Sequence, residues 1–577
     1  MIGPKEPEHS DSSESEVLQS KIFDHLGLVA GMFEELEIGA RIDEQIAQDF
    51  EERNVSVGQA VKALVLTGLG FVQQRLYLTA QFFEKMPADR LIGEEVRPEH
   101  LNDDVLGRAL DDLCDYGVTE LFRDLAAHAA QKLGLTSRFA HLDATSFSFE
   151  GEYDSDESSE DEVIRVRQGY SRDNRPDLNQ VVLDMIVERK AGLPVLMKPL
   201  SGNVSDPGSF PELIDRHVDH LQNAHGFDYV VADSSLYSAD HVEKLTESGV
   251  KFVTRVPETI DEAKTRIQEA EIESMEPLTE GYCAEECRSE YGDTEQRWFV
   301  VYSEEAEERA RESVEDQLQR EHEEEAKAFS ELTEREFACR EDAEQVLEEF
   351  ETGLKASEFA RKQVQRAPRY TLEESSSPGG EGNRLEKTGE VEWLVRGTLV
   401  PSKARKAQLL KKKSLFILAT NELDEETLPA EEMLRGYKGQ VRVERGFRFL
   451  KEPWFMASSI YLQDEKRIMA LLMVMTLCLL VYSALEWRIR EGLQASGLAF
   501  PDQKGNPTQR PTARWVFQVF HGIHLLLDGG REVVLNLEDR HRRILTVLGH
   551  RYEKLLGLTH LRAERGLDRP NMRGSLL

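Results

Sequence analysis

In this chain of 577 residues, one segment limits the possible folds more than any other. From Ile468 to Leu485, IMALLMVMTLCLLVYSAL runs for eighteen residues without a charge. Its length qualifies it to cross a bilayer, because about 20 apolar residues span the hydrocarbon core. A helix apolar on every side can equally be the buried centre of a large domain. Arg467 and Glu486 bracket the run, Thr476 and Ser483 interrupt it, and no second run of the kind occurs. The expectation is a buried core helix and no membrane partner, with a membrane span as the alternative.

A chain this long exceeds one ordinary domain and is expected to hold three or four. Its 40% hydrophobic content excludes global disorder. The charge is unusual, with 71 basic against 108 acidic residues giving −37. Proteins that bind nucleic acid carry a basic footprint, because each neutralised phosphate releases counterions. Any DNA path here must therefore run away from the acidic excess. The five cysteines are scattered, and only Cys283 and Cys287 are close, with no partner pair at zinc-site spacing. They read as reduced thiols of a cytoplasmic protein. Glu6, Glu8, Asp11 and Glu14 rule out the basic and apolar regions of a signal peptide at this N-terminus.

Texture divides the chain. Residues 1–20 form an acidic, Ser-rich tail, and 21–136 read as an all-helical domain. At 137 the pattern changes. HLDATSFSFEGEY alternates as a strand with Asp143, Thr145, Phe147 and Phe149 on one face. An acidic turn over 153–162 precedes two strands, NQVVLDMIVER and LPVLMKPL. A helix over Phe210–Leu221, the short strand FDYVVAD ending on Asp233, a helix over Ala239–Ser248 and the strand KFVTRV complete a β-β-β-α-β-α-β order through 256. Residues 257–413 read as an inserted module, with one long charged helical stretch over Ser303–Val364 between strand-like pieces. PSKARKAQLLKKK (401–413) holds six basic residues and no acid, as a DNA-backbone contact or a solvated loop. The region 414–492 returns to the core with a strand, a helix over 430–451 and the apolar run. A helical region, 493–577, ends the chain.

Asp143 within one strand and Asp233 at the end of another are placed where carboxylates gather at the carboxyl ends of an open α/β sheet. Phosphodiester chemistry on two divalent metals needs such a cluster on a rigid frame. With so many acids, pattern alone leaves the choice open. On the 430–451 helix, Tyr437, Gln440, Glu444 and Lys451 fall within about a 60° arc, with an apolar stripe of Val443, Phe447 and Leu450 on another side. This arc is either a ligand-facing surface or a solvated side. From Glu431 to Lys451 six basic residues stand against three acidic ones, inside a strongly acidic chain.

The spacing Y-x2-Q-x3-E-x6-K within GYKGQVRVERGFRFLKEPWF resembles the Tyr-Arg-Glu-Lys signature of bacterial insertion-sequence DDE transposases. HLDATSF and VVADSSLYSADH resemble the blocks around that family's first and second aspartates, with GYSRDNRPDLNQ and SGNVSD between them, and the likeness is strong over 138–490. The resemblance implies a multi-domain α/β protein. An RNase H-like mixed sheet would carry an inserted α/β module, with an all-helical N-terminal domain for DNA ends before it and a helical region after it. It implies that Asp143, Asp233 and Glu444 hold two magnesium or manganese ions. It also implies that Tyr437 and Lys451 contact phosphates of the transposon end. Gln440 stands where the signature has Arg, losing a bidentate phosphate contact that Arg442 or Arg445 would have to replace. The expected partners are the terminal inverted repeats and target DNA, bound by a homodimer in the cytoplasm at the nucleoid. The 211 residues from Asp233 to Glu444 agree with members that carry an insertion.

Arg172, Asp173, Arg175 and Asp177 could orient the site or hold a turn through local ion pairs. Trp393 and Trp454 could stack on a flipped base, although core packing suits Trp454 better, and His141 reads as structural. The rival functions are an RNase H-like nuclease and a catalytically inactive, domesticated DNA-binding protein.

Overall fold

The computed structural model describes residues 19–49, 53–71, 78–149, 153, 163–169, 175, 177–204, 206–373, 384–452, 464–528 and 531–558. Residues 1–18, most of the acidic turn at 153–162, Arg172, Asp173 and Trp454 lie outside them. The chain forms two compact units. One comprises 1–254, 291–294 and 432–577; the other comprises 255–290 and 295–431.

The first unit begins with helices α1 (Leu26–Glu35), α2 (Val57–Leu69), α3 (Asp103–Tyr116) and α4 (Val118–Leu133). Ser56 starts α2 with a capping box to Gln59, satisfying amides that helix geometry leaves open. The sheet follows: β1 (Phe139–Phe149), β2 (Asn179–Glu188) and β3 (Pro194–Ser201), then α5 (Asp206–His225), β4 (Tyr229–Ala232), α6 (Ala239–Glu247) and β5 (Lys251–Val256). Its strand order is β3-β2-β1-β4-β5. The β1–β2 and β2–β3 pairs are antiparallel, whereas β4 runs parallel to both β1 and β5. This is the RNase H-like arrangement expected from the sequence.

In the second unit, β6 (Glu276–Thr279), β7 (Tyr282–Tyr291) and β8 (Thr294–Ser303) lead into the helices α7 (Glu304–Thr333) and α8 (Arg340–Gly353). A long hairpin of β9 (Ser357–Glu373) and β10 (Arg384–Pro401) follows, then α9 (Lys403–Ser414) and β11 (Leu415–Thr420). The single helix expected over Ser303–Val364 is thus two helices and the start of a strand. Phe359 and Val364 turn that strand's face toward Phe329, Leu347 and Trp393. Trp393 packs in this cluster with Arg340 over its ring. The 401–413 segment is a helix and not a loop. Leu409 and Leu410 pack on Ala310, Val314 and Leu318 of α7, Lys406 pairs with Glu315 at 2.9 Å, and Lys412 pairs with Glu258 at 3.6 Å. The strand at 415–420 pairs with β8 along its whole length.

The first unit closes with α10 (Ala430–Tyr437), α11 (Val441–Leu450) and α12 (Glu465–Ser496). The apolar run is the middle of α12, and 89% of its most apolar window is buried inside the protein. Its neighbours are α1, α2, α3, α4 and the helix Asp539–Leu548. Asp464 caps its start by accepting from Lys466 N, and Gly497 ends it at a φ of 66°. Arg467 fixes the first turn to Asp111 of α3 through two 2.8 Å bonds. The N-terminal helices and the C-terminal region therefore share one core with the sheet. Neither region is purely helical: Gln19–Ile22 pairs with a hairpin of His524–Asp528 and Arg531–Leu535.

Candidate active site

The parallel junction pairs His141 of β1 with Val231 of β4. Two residues further along both strands come Asp143 and Asp233. Register therefore sets the two aspartates side by side, projecting to one face. Asp143 is half-buried and Asp233, just past the end of β4, is exposed on extended backbone. An Asp233 carboxylate oxygen accepts from Ser235 N at 2.9 Å, and its carbonyl accepts from the Thr254 hydroxyl at 2.8 Å.

The α10–α11 segment covers that same face. His141 Nε2 donates to the Gly436 carbonyl at 2.8 Å. A Cβ at Gly436 would lie 2.6 Å from the Phe139 ring, and one at Gly439 would lie 2.5 Å from His141 Nε2. Glycine is what lets the helix come this close to β1. Burial pushes the His141 pKa down to about 4, so the ring stays neutral and its proton can serve the carbonyl. Farther along, a Cβ at Gly446 would meet Met185, which lies directly across from Asp143.

Gln440 is the tightest link. It is buried, and its Nε2 donates to the carbonyl of Leu142, the residue before Asp143, at 3.0 Å. The helix read over 430–451 is also not continuous, because Lys438–Gln440 make a 3-10 turn between α10 and α11. Tyr437 and Gln440 keep right-handed helical dihedrals, so the chain continues its winding. The four signature positions differ in exposure. Gln440 is buried, Tyr437 and Lys451 are half-buried, and Glu444 is exposed one turn beyond Gln440. Glu444 lies in the first turn of α11 and Lys451 at its C-terminal cap, the ends that favour their charges. Arg442 donates to the Lys190 carbonyl at 2.8 Å, and Arg445 is exposed. Arg175 and Asp177 pair locally at 2.8 Å.

Among the described residues, no three His, Cys, Asp or Glu side chains are gathered tightly enough to hold a metal ion as they stand. The donor set nevertheless suits a hard divalent cation: two adjacent carboxylates, with a third on a helix strapped to the same strand. The strapping by His141, Gly436, Gly439 and Gln440 was not visible in the sequence. Its only signal was two glycines and an uncharged amide within an otherwise basic segment.

A mixed sheet in this order, with one aspartate within β1 and the other just past the end of its parallel neighbour β4, is the RNase H-like class of fold. The family described as the transposase DDE domain matches residues 136–481, more than half of the chain, and the chain belongs to that family. It is a DDE transposase, an enzyme that acts on DNA and belongs to a group that works with divalent metal ions. Residues 18–127 match a domain of unknown function (DUF4277). A solved structure of the piggyBac transposase synaptic complex with hairpin DNA shows a slight likeness, at 10% identity and a TM-score of 0.35, over 97% of this chain and 89% of that one. No curated protein gives a significant match.

Proposed function

We propose that Asp143, Asp233 and Glu444 are the catalytic carboxylates, and that they hold two magnesium or manganese ions while the enzyme cleaves the ends of an insertion sequence and joins them to target DNA. The observation that carries this is the register of β1 and β4, which sets the two aspartates together beneath the helix bearing Glu444. Bound divalent ions supply positive charge for the attacking and leaving oxygens. The chain's own part is to hold the donors in place. Gln440 and His141 fix α10–α11, which carries Glu444, against β1, which carries Asp143. Water adds to phosphorus at the element's end and the bond to the 3′ oxygen breaks, leaving a 3′ hydroxyl. That hydroxyl then attacks a phosphodiester of the target, releasing a new 3′ end. Positioning and charge stabilisation do most of this work.

Tyr437, Lys451, Arg442 and Arg445 contact phosphates of the transposon end. The enzyme works as a homodimer on terminal inverted repeats and target DNA, at the nucleoid in the cytoplasm and away from membranes. In that reading α12 is a core helix, which its burial supports. The test uses the DNA ends that flank the gene, with Mg2+, across a salt series. Lys451→Ala should lower the salt dependence of binding by about one unit of log–log slope. Glu444→Gln should stop cleavage and leave that slope unchanged. Small, equal effects of both substitutions on both readouts would return α11 to an ordinary solvated helix.

A further inference from the structure

At the other end of β1 from Asp143 lies a cavity of about 530 Å³. Four cations, Arg138, Arg189, Lys190 and Arg442, line it against one carboxylate, Glu432, in a chain whose net charge is −37. Arg138 is already neutralised, with Asp228 at 2.6 Å and Glu432 at 2.8 Å. The other three make no ion pair with any described residue. Arg442 donates to the Lys190 carbonyl, and Arg189 lies over the Phe139 ring with its centre 5.8 Å away. Glu188, the nearest acid to Arg442, has both carboxylate oxygens on Ala191 N at 2.8 and 3.0 Å. Phe139 and Trp487 give the cavity aromatic walls. Like charges held together without ion-pair contacts raise the energy of the empty site, and an anion relieves it.

We infer that this cavity is a phosphate-binding subsite, taking a backbone phosphate of the same DNA duplex whose strand is cut at the aspartates. Geometry favours DNA over a free phosphate compound. Phe139 and Asp143 lie on one strand and one face, four residues apart, or about 14 Å at 3.4 Å per residue. Phosphates along one strand of a duplex advance about 3.4 Å along the axis, so a duplex that covers the aspartates extends past the cavity within a few base pairs. Helix α11 bridges the two places, with Arg442 at the cavity and Glu444 two residues on. The inference rests on DNA being the substrate and not on which carboxylates are catalytic.

The test is binding of a short mixed-sequence duplex to the full-length protein across a salt series, without divalent metal, so that a failure of the proposed triad cannot mask the result. Lys190, exposed in the β2–β3 turn, can be changed without touching the core; Arg189 is the second position. Lys190→Gln and Arg189→Gln should each lower the log–log salt slope by about one unit, and the double variant by about two. In a set of duplexes carrying one neutral methylphosphonate at successive positions within a few nucleotides of the cleaved bond, one position should weaken wild-type binding but leave the double variant's binding unchanged. Unchanged slopes in all three variants would overturn the inference. So would binding of inorganic pyrophosphate that depends on Lys190 and Arg189 while duplex binding does not.

Discussion

Gln440 shows how a single side chain decides what this site can be. The buried Leu142 carbonyl it serves is otherwise left to the low-dielectric interior, and an unsatisfied buried acceptor costs about 1–3 kcal/mol. Gln440→Leu should therefore destabilise the protein by about that amount in urea titrations. It should also slow cleavage more than it weakens DNA binding, since it loosens Glu444 without removing a cation. A stability change near zero would mean the bond is not made. Gly439→Ala should be worse, because its Cβ has nowhere to go beside His141. His225 offers the opposite case. It is buried and stacked on Phe227 at 5.3 Å, with neither ring nitrogen partnered among the described residues. His225→Phe should raise the melting temperature at pH 5.

Elements show where sequence reading succeeds and where it stops. The strand carrying Asp143 was legible because period-two alternation survives in HLDATSFSF, and the β-β-β-α-β-α-β order followed from it. Asp233 was legible as the end of a short apolar strand, yet its place beside Asp143 depends on register, which no local pattern encodes. The charged stretch after Ser303 defeated periodicity. The charged segment SEFARKQV at Ser357–Val364 continues the texture of the helices before it, but long-range pairing with β10 makes it a strand. The helical form of the basic segment α9 was likewise missed, since its packing and its Lys406 pair are made with the distant α7. Two substitutions separate these kinds of contact. Leu480→Ala in α12 removes a fully buried side chain and should cost about 2–5 kcal/mol. Lys406→Ala breaks an exposed pair with Glu315 and should change stability by less than about 1 kcal/mol. Calorimetry on both variants reads the contrast, and equal losses would contradict the placement of α12.

At the scale of the whole molecule, acidity should limit stability from one side. Burial lowers the pKa of His25 and of His225 to about 4, from 6.5 in the unfolded chain. The unfolded state thus binds more protons at these rings, and their contribution is full above pH 6.5 and lost as pH falls toward 4. Glu188 acts oppositely. Burial raises its pKa from 4.5 to about 7, so its contribution fades as pH climbs through that range. His141 and His217, lowered by burial to about 4 as well, bring the histidines to four against one glutamate, and the melting temperature should drop from pH 7 to pH 5. A flat or rising profile would contradict the burial of these rings.

The central claim is that Asp143, Asp233 and Glu444 are the carboxylates on which cleavage depends as metal ligands. Metal rescue tests it most directly: Asp143→Cys and Glu444→Cys are assayed on the flanking DNA ends with Mg2+ and then with Mn2+. A thiolate is a poor ligand for hard Mg2+ and a better one for Mn2+. The account predicts that both variants bind the ends normally, fail to cleave in Mg2+ and regain cleavage in Mn2+. Cleavage at wild-type rates in Mg2+ by either variant would contradict it.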